Sequence, residues 1–105
     1  GELAHGDQRV VEVAVALSLK PRLLLLDEPT AGMGDSETDH MVDLIRRLHQ
    51  RQGMSILFIE HDMDIVFGLA ERITVLDQGR VLADGPPDAV SNDPKVRAAY
   101  LGSAE

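Results

Sequence analysis

No cysteine occurs among the 105 residues, which excludes disulfides and thiolate metal sites and is consistent with a cytosolic location. Tryptophan is absent, and the aromatic residues are Phe58, Phe67 and Tyr100 alone, too few for a platform that stacks bases. Basic charge is scarce. Ten Lys and Arg stand against eighteen Asp and Glu, a net charge of −8. With no basic face to neutralise phosphates, nucleic acid is excluded as a direct partner. No run of eighteen apolar residues exists, so no stretch reads as a helix that spans a bilayer. Internal repeats and low-complexity segments are missing too. What remains, 44% apolar and 27% charged, has the composition of one small globular domain.

The chain is organised around Leu23-Leu24-Leu25-Leu26-Asp27-Glu28-Pro29. Four leucines bounded by Pro21 and Pro29 predict a short strand buried on both faces, as in parallel sheets. Such a strand delivers Asp27 and Glu28 to the carboxyl edge of the sheet, where open α/β folds place their ligands. Two adjacent carboxylates are costly to desolvate unless a cation or a proton transfer uses them.

Upstream, Val10, Val13, Ala14 and Leu17 recur at helical spacing. They predict a helix to about Leu19, starting near His5 to Gln8, with Gly6 permitting close backbone approach at the positive helix end. Downstream, Ser36-Glu37-Thr38-Asp39 has the form of a helix N-terminus. Met41, Leu44, Ile45 and Leu48 then predict one buried face to about Arg51, closed by Gly53. Ser55 to Ile59 predicts a second buried strand that ends in Glu60-His61-Asp62. Strand, helix and strand in this order form a parallel crossover unit, placing Asp27, Glu28 and His61 along one edge. A third helix follows from Met63 to Ala70, then a hairpin around Gln78-Gly79, a short helix started by Pro86-Pro87-Asp88 and running to about Val90, and a last one capped by Asn92-Asp93-Pro94 and reaching Tyr100-Leu101. His5, His40 and His49 read as plain polar residues, and Asp35, Asp39 and Asp43 as a solvated face.

Three motifs together resemble the second half of an ATP-binding cassette (ABC) ATPase subunit. Leu3-Ala4-His5-Gly6-Asp7-Gln8 resembles the family's signature motif, Leu23 to Pro29 its Walker B strand with the catalytic glutamate, and His61 its switch histidine. Ala31-Gly32-Met33 falls where the D-loop lies. The same loop, Glu60-His61-Asp62-Met63 and the tail Asp93 to Gly102 resemble importer cassettes for branched-chain amino acids, urea or amides. The signature departs from the usual pattern, with Ala4 in place of Ser and His5 in place of Gly, which removes one hydroxyl donor to phosphate.

The resemblance implies an α/β fold: a partial P-loop NTPase sheet of the RecA-like ABC ATPase type with flanking helices, lacking the Walker A half. It implies that residues 1–105 are one C-terminal piece of a nucleotide-binding domain, carrying signature, Walker B, D-loop, switch histidine, hairpin and terminal helices. Glu28 would orient or deprotonate the attacking water and His61 would contact the γ-phosphate. Asp27 would hold Mg²⁺ through water. Ala4, His5, Gly6, Asp7 and Gln8 would face the ATP held by the opposite subunit. The partners implied are a second ATPase subunit and a membrane permease, at the inner face of the cell membrane.

No G-x-x-x-x-G-K-[ST] loop is present; Gly32 to Ser36 contains no lysine. The expectation is therefore a fragment that by itself neither binds ATP tightly nor hydrolyses it, and that self-associates through unpaired strand edges. Two other readings stay open: an ABC-type ATPase of a process other than transport, and a non-catalytic assembly or regulatory fragment.

Overall fold

The computed structural model describes residues 5–100, and the side chains of 8–100. Two compact units divide the chain after His61.

The first unit has the order helix, strand, helix, strand. Helix α1 (His5–Leu17) leads through Pro21 into strand β1 (Leu23–Asp27), and helix α2 (Asp35–Gln52) connects it to strand β2 (Ser55–Ile59). The strands pair in parallel, Leu23 opposite Ser55 through Asp27 opposite Ile59. The crossover unit predicted from the sequence is present.

Helix α2 starts two residues earlier than a Ser36 cap predicts. Gly34 is its N-cap, and the Glu37 carboxylate accepts the Gly34 N–H at 3.3 Å. Its C-terminus matches expectation: Gly53 takes a φ of 66°, and its N–H returns to the carbonyls of Leu48 and His49. His49, read as merely polar, completes that end by donating from Nδ1 to the Met54 carbonyl at 2.9 Å.

Both strands were expected to be buried on two faces, and they are not. Leu24, Leu48 and Met54 form the core of this unit, with Ala16 and Leu17 of α1, Leu44 of α2, Leu26 and Ile56 packed against them. Both helices thus cover the same face of the sheet. Leu23, Leu25, Leu57 and Ile59 on the other face are 55–65% exposed. The period of two along each strand splits the leucine run between a covered and an uncovered side.

In the second unit, helix α3 (Met63–Leu69) is capped by Asp62, whose Oδ1 accepts the N–H groups of Asp64 and Ile65. Strands β3 (Ile73–Asp77) and β4 (Arg80–Gly85) form the predicted antiparallel hairpin. Gln78 and Gly79 both have positive φ, 50° and 78°, as the two-residue hairpin turn matched to strand twist requires. Helices α4 (Pro87–Ser91) and α5 (Pro94–Ala99) follow, each with proline in its first turn. Ile73, Val90 and Val96 are buried together as the core of this unit.

Candidate active site

The carboxyl ends of β1 and β2 carry the polar residues singled out in the sequence. Asp27 closes β1 and, by alternation, shares the uncovered face with Leu23 and Leu25. Its backbone carbonyl accepts a hydrogen bond from the Arg9 guanidinium of α1 at 3.4 Å.

Glu28 leaves the strand with a φ of 46°, in the left-handed region that a residue with a Cβ rarely occupies. Its N–H still donates to the Ile59 carbonyl at 2.7 Å, extending the parallel ladder by one bond. The reversal of φ then turns the chain. The Ala31 N–H closes a turn onto the Glu28 carbonyl at 3.1 Å, and the Met33 N–H donates to Thr30 at the same distance.

His61, two residues beyond β2, donates from Nδ1 to Glu28 Oε1 at 2.6 Å. Both side chains remain open to solvent, His61 at 78% and Glu28 at 43%. The contact fixes the imidazole tautomer with its proton on Nδ1 and leaves Nε2 for another partner. An accessible carboxylate against an accessible imidazole, at the mouth of a parallel sheet, can orient a water and move its proton.

Among the described residues no group of three or more His, Asp and Glu gathers as a metal site. A hard cation with several waters and phosphate oxygens needs only one or two protein carboxylates. Asp27, exposed at the strand end beside Glu28, fits that donor set.

Of the remaining residues singled out, His5, Gly6, Asp7 and Gln8 form the first turn of α1, so their amides lie at its positive end. Ala4 lies outside the described residues. Two residues to which the sequence assigns no role also meet at this edge. Thr30, 8% exposed, donates to Glu60 Oε2 from its N–H at 3.1 Å and from its hydroxyl at 2.6 Å.

The family model described as "ABC transporter" matches residues 1–31, and the one described as "Branched-chain amino acid ATP-binding cassette transporter" matches residues 80–105. The chain is 44% identical over 104 residues to the high-affinity branched-chain amino acid transport ATP-binding protein BraF of Pseudomonas aeruginosa, covering 99% of this chain and 41% of that protein. To the Escherichia coli protein of the same description, LivG, it is 46% identical over 102 residues, covering 97% of this chain and 40% of the relative. A solved nucleotide-free ATP-binding cassette from an ABC transporter superposes with a TM-score of 0.84 at 31% identity, over 97% of this chain and 42% of that one. The chain thus spans about two-fifths of the length of the curated relatives it matches. The resemblance to ABC transporter ATP-binding subunits holds in sequence and in fold, and the fold is part of the α/β ABC ATPase.

Proposed function

We propose that residues 1–105 form the C-terminal part of the nucleotide-binding domain of an ATPase subunit that drives an importer for branched-chain amino acids or a related small polar solute. The domain carries the signature motif, Walker B strand, D-loop, switch histidine, hairpin and terminal helices. The subunit works as a dimer against a membrane permease, peripheral to the inner face of the membrane. No described helix is long and apolar enough to cross a bilayer itself.

In this reading Glu28 Oε1 orients the attacking water and takes its proton, while His61 holds that carboxylate through Nδ1 and offers Nε2 toward the terminal phosphate. Removing or orienting a proton in this way contributes roughly 10²–10⁴-fold to rate. Asp27 holds Mg²⁺ through water, and the cation supplies neutralisation of the phosphate charge. Residues Ala4 to Gln8 face the γ-phosphate of a nucleotide bound by the opposite subunit, with the backbone amides of the first turn of α1, His5 to Gln8, as donors. The lysine that grips the β- and γ-phosphates in P-loop ATPases has no counterpart in these residues. The 105-residue chain alone therefore binds ATP weakly and does not turn it over, and its free strand edges favour self-association.

The single observation that carries the reading is the 2.6 Å contact between Glu28 and His61, just beyond the carboxyl ends of two paired parallel strands. The test is a chimera in which residues 1–105 replace the matching stretch of LivG. It should hydrolyse ATP, and Glu28→Gln should lower turnover at least 100-fold while nucleotide binding is retained. Turnover that survives the substitution removes Glu28 from the role of base.

A further inference from the structure

We propose that Glu60 is a positioning residue for this site: by holding Thr30, it keeps the Glu28 carboxylate against His61. The inference rests on the hydrolytic reading above for its purpose, though its geometry stands apart from it.

Beyond the last pair of the ladder, Asp27 opposite Ile59, the two chains are joined by three further ties. The Glu28 N–H donates to the Ile59 carbonyl. Thr30 donates twice to Glu60, and His61 donates to Glu28. Segment 28–30 donates in the first two ties and segment 59–61 in the third, so the two segments are laced together. Pro29 lies between the first two ties and has no N–H. The Thr30 amide is therefore the next backbone donor available to hold the turn that starts at Glu28.

Thr30 is the buried polar residue among those described. Its hydroxyl and its amide both need an acceptor once removed from water. One oxygen of Glu60 serves both, and the hydroxyl contact of 2.6 Å has the length of a hydrogen bond to a charged acceptor. Glu28 enters this turn at a positive φ, a backbone state that persists only where surroundings over-determine it. Glu60 is the side chain that does so from the opposite strand. Its neighbour in sequence is His61, so one residue pair on each strand end sets both the turn and the acid–imidazole contact. The sequence of polar residues after β2 thus has a division of labour: Glu60 faces the turn, and His61 faces the carboxylate.

The chemistry of the tie makes it separable from mere packing. Both donors reach the same oxygen, so a carboxamide oxygen can replace the carboxylate. Glu60→Gln should keep the tie, and Glu60→Ala should lose it. Thr30→Ser keeps both donors, while Thr30→Val keeps the shape and loses the hydroxyl. The measurement is the ¹⁵N chemical shift pair of the His61 ring in the isotope-labelled 105-residue chain, at one pH where the imidazole is neutral. It reports which ring nitrogen carries the proton, a property set here by the hydrogen bond that Nδ1 makes to Glu28.

In the unsubstituted chain the Nδ1–H tautomer should dominate at His61. In Glu60→Ala and Thr30→Val its population should fall at least two-fold, with restoration in Glu60→Gln and Thr30→Ser. Thr30→Val carries the test if Glu60→Ala does not fold. A wild-type His61 signature in folded Glu60→Ala or Thr30→Val overturns the inference, as does a Glu60→Gln variant that behaves like Glu60→Ala. Failure of the hydrolytic reading would show instead in the Glu28→Gln chimera, whose turnover does not involve a change at Glu60.

Discussion

Glu28 occupies a backbone state that its side chain does not favour, with φ at 46°. A left-handed conformation costs a residue with a Cβ roughly 1–2 kcal/mol, while glycine adds only about 0.4–1 kcal/mol of unfolded-chain entropy. Glu28→Gly should therefore be more stable than Glu28→Ala by about 0.5–1 kcal/mol. Chemical denaturation of the two variants checks this, and both lack the His61 contact, so the comparison isolates the backbone. An equal or lower stability for the glycine variant would show that no strain is held there. A destabilising residue kept at the point where chemistry is proposed is the pattern expected when function and stability compete. Asp27 and Glu28 were legible as a pair because a continuous apolar run ends abruptly in two acids. The tie between Thr30 and Glu60 was not. It joins residues thirty positions apart, and neither has a spacing or composition that marks it.

The hairpin β3–β4 shows how an element can carry its own pH dependence. Arg72 donates from Nε at 3.1 Å and from Nη2 at 2.6 Å to the two oxygens of Asp84, and Thr74 adds a hydroxyl bond at 2.9 Å. The Arg72 hydrogen bond foremost, with that of Thr74, holds the Asp84 carboxyl below its ordinary range. A carboxylate depressed in the folded state adds stability that is present above its unfolded pKa, about 4, and lost as pH falls through the folded value. Thermal melts should therefore lose stability below about pH 4, and Asp84→Asn should flatten part of that slope by lowering the melting temperature near neutral pH while leaving melts below the folded Asp84 pKa close to those of the unsubstituted chain. An unchanged acid slope in the variant would assign the loss to other carboxylates. The elements themselves were largely readable. Periodicity located α1 and α2, the Gln78-Gly79 pair located the hairpin, and the prolines located the starts of α4 and α5. The leucine run predicts two-sided burial of β1 and the structure shows one covered face, because a run of four leucines cannot report which of its faces a helix will cover. Leu24 and Leu26 of that run pack into the core with the helices, whereas Leu23 and Leu25 are exposed.

At the scale of the molecule, the described residues present an apolar sheet face at Leu23, Leu25, Leu57 and Ile59, and among them each of the two sheets has two strands with no further strand paired at its edges. Exposed edges and faces of this kind seek partners. Sedimentation at rising concentration should show association, and the double substitution Leu25→Lys with Leu57→Lys should return the chain toward monomer. A monomer at all concentrations would contradict the proposed self-association. The larger claim is that Glu28 and His61 act as one hydrolytic unit in the complete domain. It is tested most directly by a double-mutant cycle of ATP turnover in the LivG chimera, comparing Glu28→Gln, His61→Ala and both together. Residues acting as a unit are strongly non-additive, so the double variant should be no slower than Glu28→Gln alone within a factor of about three. Losses that multiply, the double variant slower by the full product of the two single effects, would show that acid and imidazole act independently and contradict the account.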